Sequence, residues 1–356
     1  MDPRTLPPSP HGRGAASNPA GRFERLHVEA DLDALEEEGP PRQVPTEFLR
    51  DDTRSVLVRN KSPDVGFAVG INPYRGCEHG CAYCYARPTH EYLGFSAGLD
   101  FETKIVVKDR APELLAAELS RSGYRPEPVA LSGNTDPYQP VERRLRLTRG
   151  ILEVLARHRH PVSIITKNAL IARDVDVLAE MAECSLVHVH LSVTSLRNRI
   201  VNALEPRTSR PAARLKVIEA LAAAGVPVGV AVAPVIPGLT DEEVPAILEA
   251  AASAGATWAF YATMRLPGAV RELFFERLAA SFPNHVERVR HRMEALHGPE
   301  LRSTRFGERM RGHGAHADTI RFLFRSTCAR LGLDRSPAPL STTHFRRLTG
   351  GQMDLF

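Results

Sequence analysis

The stretch INPYRGCEHGCAYCYARPTHEY, residues 71–92, holds three of the chain's five cysteines, Cys77, Cys81 and Cys84, in a C-x3-C-x2-C spacing. Gly76 and Gly80 relieve the backbone between them, so the loop can curl round a compact body and its thiolates can converge on one centre. An odd number of cysteines crowded in this way makes a poor disulfide framework and suits a metal or cluster site in a reducing compartment. Spacing alone leaves two readings open. A structural zinc ion needs a fourth ligand, for which His79 or His90 is available, although the second ligand pair of a zinc ribbon or knuckle is missing. A [4Fe–4S] cluster would take the three cysteines on three irons and leave the fourth iron open to bind a substrate or cosubstrate.

Outward from this loop, residues 66–265 alternate short apolar runs with amphipathic stretches. The runs are GFAVGIN (66–72), PVALSG (128–133), PVSIITK (161–167), LVHVHLSV (186–193), VPVGVAVAP (226–234) and TWAFYATM (257–264). Between them lie helical patterns such as APELLAAELS (111–120), RGILEVLARH (149–158), PAARLKVIEALAAAG (211–225) and VPAILEAAASAG (244–255). Near-continuous apolar strands separated by single helices are the sequence form of parallel β/α units. The class is therefore α/β, either a doubly wound sheet or an incomplete β/α barrel, and both place chemistry at the carboxyl ends of the strands.

The flanks read differently. Residues 1–45, rich in Pro, Gly, Ala and charge without a sustained period, are expected to be a disordered extension, with 46–65 a lead-in. Residues 266–345 read as a helical C-terminal region and 346–356 as a tail. At 356 residues and 43% hydrophobic, the chain can bury a substantial core. Its longest apolar runs fall short of the roughly 18–20 residues of a membrane span, and its first residues lack a secretory signal, so a cytoplasmic location without a membrane partner is expected. A net charge of +4 carried mostly by Arg permits a polyanionic partner without requiring one.

The cysteine spacing, with Tyr83 just before the third cysteine on the loop after the first strand of a six-unit β/α array, resembles the radical S-adenosylmethionine (SAM) superfamily. The resemblance implies a partial (β/α)6 TIM-like barrel over 66–265 with a helical C-terminal extension. It also implies a [4Fe–4S] cluster on Cys77, Cys81 and Cys84 whose open iron chelates SAM. A flavodoxin- or ferredoxin-type reductant would supply the electron that cleaves SAM to a 5′-deoxyadenosyl radical. Further segments are similar to the spore photoproduct lyase branch, whose known member reverses a thymine-dimer lesion in DNA. GCEHGCAYCY carries the aromatic pair Tyr83 and Tyr85, GNTDP (133–137) carries Thr135 and Asp136, TKN (166–168) carries Lys167, and LSV (191–193) carries Ser192. The likeness implies SAM contacts from Tyr83, Thr135, Asp136, Lys167 and Ser192, a catalytic role for Tyr85, and a DNA substrate.

One position departs from that branch. Where the spore enzyme has a hydrogen-donating cysteine, this chain has Gly133. Cys184 reads as lying at the amino end of the fourth strand, and Cys328 as a small apolar residue packed in the C-terminal region. Tyr85 and Tyr261 then remain near the expected mouth as hydrogen relays. Gln139 and Glu142 after the second strand, and Glu205 and Arg207 after the fourth, read either as substrate-facing groups or as turn and capping residues. Arg265 either faces an anionic substrate or caps the rim. The tail GGQMDLF resembles the bacterial sliding-clamp binding motif, with Gln352 hydrogen-bonding and Leu355 and Phe356 as anchors. The readings that follow are a radical SAM enzyme in DNA repair, one acting on RNA or a small molecule, and a non-catalytic metal-containing protein that docks on the clamp.

Overall fold

The computed structural model describes residues 10–23, 44–301 and 306–348. Gln352, Leu355 and Phe356, and with them the clamp motif, lie outside the described residues.

Two short strands, β1 (Glu47–Arg50) and β2 (Leu57–Arg59), precede the region of apolar runs. Then come β3 (Val69–Ile71), β4 (Tyr74–Arg75) and β5 (Lys104–Val107), followed by β6 (Val129–Leu131), β7 (Val162–Thr166), β8 (Val187–Ser192), β9 (Val228–Val235) and β10 (Ala259–Thr263). The main sheet runs β10-β9-β8-β7-β6-β3-β2. Its six strands from β3 to β10 pair in parallel, each the expected apolar run, while β2 pairs antiparallel on the β3 edge. Each parallel strand is added beside its predecessor, so the order never reverses from a central strand as it does in a doubly wound sheet. The array is an incomplete barrel whose end strands β2 and β10 do not pair with each other.

Helices cover the outside: α1 (Ala111–Ser120), α2 (Leu147–Arg157), α3 (Val175–Glu183), α4 (Pro211–Ala223) and α5 (Val244–Ser253). Alternate strand residues such as Val162, Ile164, Val187, Val189, Leu191, Val228 and Val230 pack with Leu115, Ile151, Leu155, Leu178, Ile218 and Ile247 in one core. Each such fully buried side chain contributes on the order of 1.5–3 kcal/mol. The other strand face lines the interior, where the His190 ring lies 5.5 Å from Trp258 and 5.3 Å from Phe260.

The C-terminal region holds α6 (Val270–Ser281), α7 (Val286–His297) and α8 (Ala315–Leu331). Helix α8 joins the barrel layer, with Ile320, Phe324 and Cys328 buried in the main core, so Cys328 packs as a small apolar residue. Beyond α8 the chain is irregular and crosses the amino ends of the strands, where Ser341 N donates to Ser185 O (2.9 Å) and Arg346 N to His158 O (2.8 Å). Cys184 lies at this end, at the close of α3 just before β8.

Two expectations are corrected. Residues 10–23, read within a disordered extension, include a segment laid against the cysteine loop, with Arg13 and Ala15 buried. Tyr261 does not reach the mouth: its ring packs on Phe324, 4.7 Å away, in the helical layer. Tyr261 pairs in regular register with Val232, and both side chains belong to the core under the helices. The small sheet β1-β5-β4 has no counterpart in the sequence reading. Its first strand is mostly exposed and so carries no apolar period.

Candidate active site

The loop carrying the cysteines leaves β4 and is held from three sides. From the end of β6, Thr135 Oγ1 donates to Gly76 O (2.7 Å), while Gln139 donates to the same carbonyl (3.3 Å) and accepts from Glu78 N (2.8 Å). The Glu78 carboxylate takes Val141 N (2.7 Å), Thr46 Oγ1 (3.1 Å) and Arg207 (3.2 Å). From within, the wholly buried Arg87 guanidinium donates to Cys81 O (3.0 Å), Ala97 O (3.1 Å) and Gly98 O (2.9 Å), and pairs with the equally buried Glu102. From the N-terminal side, Gly14 N and Ala15 N each donate to the Glu102 carboxylate at 2.9 Å. Gly80, at φ +64°, fits this packing only as glycine, because a Cβ there would come within 2.5 Å of Glu102 Oε2.

Cys77, Cys81 and Cys84 are free thiols, the first two buried and the third partly so. Burial, with Glu205 and the neighbouring sulfurs adding to it, pushes the Cys81 thiol well up; burial and Cys77 do the same for Cys84. A soft cation that displaces these protons is the natural counter-charge for such a loop. Of the two candidate fourth ligands for zinc, His79 is engaged on both ring nitrogens, whereas His90 is engaged on Nε2 alone and its buried Nδ1 has no hydrogen-bond partner among the described residues. His79 has its Nδ1 3.4 Å from Asp136 and its Nε2 3.0 Å from Asn168 Nδ2, while His90 Nε2 meets Lys104 O at 2.9 Å. Among the described residues no three His, Cys, Asp or Glu side chains converge closely enough to hold a single ion. Three thiols on one short loop are the donor type that cluster irons take.

The predicted SAM residues divide into two groups. Lys167, Ser192 and Tyr83 come together at the carboxyl ends of β7 and β8. Lys167 Nζ donates to Ser192 Oγ (2.9 Å) and Ala233 O (3.2 Å) and lies 6.0 Å from the Tyr83 ring centre. Tyr83 donates its hydroxyl to Glu205, which also takes Thr194 Oγ1 (2.5 Å) and pairs with buried Arg214. Burial would raise the Glu205 carboxyl, but Arg214 and Lys167 override it and hold it at about 2. Thr135 and Asp136, by contrast, are occupied within the protein. Asp136 accepts from Thr166 Oγ1 (2.7 Å), Tyr138 N (2.9 Å) and Lys167 N (2.8 Å). Its burial is outweighed by His79 and these donors, which keep it at about 2. These two side chains join the loop to the ends of β6 and β7.

Tyr85 lies across the mouth. Its hydroxyl donates to Gly133 O (2.7 Å), and the Arg265 guanidinium sits 4.9 Å above its ring. The surrounding protein mass and the Cys84 sulfur push the hydroxyl up to about 12, so at neutral pH it keeps its proton. Gly133 has φ +132°, a conformation costly for any L side chain, although a Cβ there would meet nothing nearer than Asn72 at 3.9 Å. The missing cysteine is thus a matter of backbone conformation rather than of space.

Of the polar groups left open by the sequence, Gln139, Glu142, Glu205 and Arg207 are structural; Glu142, for example, accepts from Tyr74 (2.5 Å) and Arg173 (2.8 Å). The Arg87–Glu102 pair, Glu78 and the His79–Asn168 contact went unread, since partners joined across loops leave no periodic trace.

The sequence profile of the radical SAM superfamily matches residues 71–251, which include all three loop cysteines. Proteins of Mycobacterium bovis and Mycobacterium tuberculosis, each described as uncharacterized, are 43% identical over 236 residues, or 65% of this chain and 69% of theirs. An uncharacterized protein of Methanocaldococcus jannaschii is 28% identical over 49% of this chain and 62% of its own length. A cysteine-to-serine mutant of spore photoproduct lyase matches with TM-score 0.56 and 15% identity, covering 87% of this chain and 85% of that one. A mutant of the same enzyme with bound AdoMet and dinucleoside spore photoproduct matches with TM-score 0.55 and 16% identity over 80% and 78%. At these identities the structural likeness speaks for the fold. No helix among the described residues is long and apolar enough to cross a membrane. With a cysteine loop at the carboxyl ends of six parallel strands and a family match across it, this chain belongs to the radical SAM superfamily, whose members use a [4Fe–4S] cluster and SAM.

Proposed function

We propose that the protein is a radical SAM enzyme acting on a nucleic-acid-related substrate, in the manner of a DNA repair lyase, with Cys77, Cys81 and Cys84 holding three irons of its cluster. When reduced by a flavodoxin- or ferredoxin-type partner, the cluster supplies the electron that splits SAM into methionine and a 5′-deoxyadenosyl radical. The observation that carries this reading is the convergence of Lys167, Ser192 and Tyr83 beside the cysteine loop, a cation, a hydroxyl and a ring suited to the carboxylate and ribose of a zwitterionic nucleoside. Binding that nucleoside would draw Lys167 from Ser192 and Ala233. Tyr85 takes the place of the absent cysteine: its protonated hydroxyl, at Gly133, would give a hydrogen atom to the product radical. The tyrosyl radical left behind would regain an electron from the reductant and a proton from solvent. The spore enzyme's bound dinucleoside photoproduct favours a DNA lesion over RNA or a small molecule as the substrate class.

Anaerobic reconstitution followed by incubation with SAM and deuterium-labelled oligonucleotides, damaged and undamaged, tests the reading. Label is expected in 5′-deoxyadenosine from the damaged strand. Cleavage of SAM with label arriving only from a non-nucleic-acid compound would end the repair assignment. Tyr85→Phe is expected to go on releasing 5′-deoxyadenosine while product formation falls.

A further inference from the structure

Arg265 follows β10 by two residues and stands at the barrel mouth. Its guanidinium stacks on the Tyr85 ring at 4.9 Å, and Tyr85 in turn is fastened to Gly133 at the end of β6. The residue is partly buried, yet among the described residues it has no hydrogen-bond or ion-pair partner. The nearby carboxylate that would serve, Asp64, is taken: one oxygen accepts from Gly307 N (2.6 Å) and the other pairs with Arg309, which also donates to Ser62 Oγ (2.5 Å). Two arginines therefore share one aspartate, and the surplus positive charge rests on Arg265. Burial and, after it, Arg309 lower its pKa against the opposing pull of Tyr85 and Asp64.

A partly desolvated guanidinium without a hydrogen-bond partner is favoured by an anion that completes it, and its planar fork recognises an oxyanion through two parallel hydrogen bonds. Stacking on Tyr85 holds one face of the plane and leaves the N–H edge available. We propose that Arg265 binds a phosphodiester of the substrate, so that the backbone of a nucleic acid is held at the mouth directly over the Tyr85 ring. This inference rests on the nucleic-acid reading above and adds the contact that would fix the strand's register against Tyr85. A neutral small molecule would leave this charge unanswered.

The test uses the reconstituted, SAM-loaded protein and two probes, the thymidine dinucleotide with its natural phosphodiester and the same dinucleotide with an uncharged methylphosphonate linkage. Calorimetric titration of the protein is expected to favour the charged probe by about tenfold to a hundredfold. Arg265→Gln should bind the two probes alike, and Arg265→Lys should retain part of the preference. A preference that survives unchanged in Arg265→Gln overturns the contact while leaving the nucleic-acid reading intact. Weakened SAM binding in Arg265→Gln, with the dinucleotide preference kept, would assign the guanidinium to the SAM carboxylate and likewise overturn it. Failure of the wild-type protein to bind either probe would bring down the nucleic-acid reading, and this contact with it.

Discussion

At the carboxyl ends of the strands, wholly buried Arg87, Glu102, Arg214 and Glu205 meet round a loop of cysteines. At the amino ends, the rings of Tyr124, His158 and His160 gather on Phe345, at 5.7, 6.2 and 5.8 Å. Both ends are closed by chain from outside the barrel, residues 10–23 at one and 334–348 at the other, but the chemistry of closure differs. Buried charges are expensive to desolvate and gain their cost back only through good geometry, so a site that uses them is built for position. Aromatic rings with neutral imidazoles close a surface with little such cost. The contrast separates an end that positions reactants from one that holds the fold shut.

The largest expected effect falls on the carboxyl end. Cys81→Ala should reduce iron and acid-labile sulfide to background and abolish SAM cleavage while leaving the circular dichroism of the barrel in place; retention of a full cluster would mean that the loop is not the site. Next comes Arg87→Ala, which strands Glu102 without its partner and should lower stability by about 3–5 kcal/mol in a denaturant titration. An effect under about 1 kcal/mol would show that the pair is not buried in solution. At the other end, Phe345→Ala should cost about 2 kcal/mol and leave SAM affinity untouched; a change in SAM binding would erase the division between the two ends.

The smallest effect is one of pH. His160 is buried with Nδ1 on Pro161 O (3.1 Å) and Nε2 facing the Tyr124 hydroxyl (2.7 Å), a neutral tautomer, and burial lowers its pKa to about 4. Its unfolded value is near 6.5, so the unfolded chain takes up the proton first, and stability present above that pH is lost as pH falls from about 6.5 to 4, by on the order of 2 kcal/mol. Glu205 and Asp136, both held at about 2, contribute stability that persists to the ordinary carboxylate range and is lost only below it. His90 beside the cysteine loop is likewise lowered to about 4 by burial, so unfolding midpoints of the wild type should begin to fall between pH 6.5 and 4, before these carboxylates protonate. A single transition below pH 4 would contradict this.

The strands were legible because each is a fully apolar run followed by one amphipathic helix, whereas their one-by-one order came only from the family resemblance, since that pattern fits a doubly wound sheet equally well. The cysteine loop was legible because its spacing is local. Thr135 and Asp136 stand just after β6, where a hydroxyl or a carboxylate serves a loop or a ligand equally well, so the sequence does not tell which they hold. Tyr261 was misplaced because a continuous apolar run such as TWAFYATM does not show which of its alternating residues face the helices. Residues 10–23 were misread because a Pro- and Gly-rich segment looks the same whether it is solvated or spends its backbone N–H groups on a buried carboxylate such as Glu102.

Gly14 lies so close to Gly80 that an added Cβ would fall 1.7 Å from the Gly80 carbonyl, so the early segment can seat only on a cysteine loop already in this conformation. Protease resistance at residues 10–23 should accordingly rise in step with iron loading.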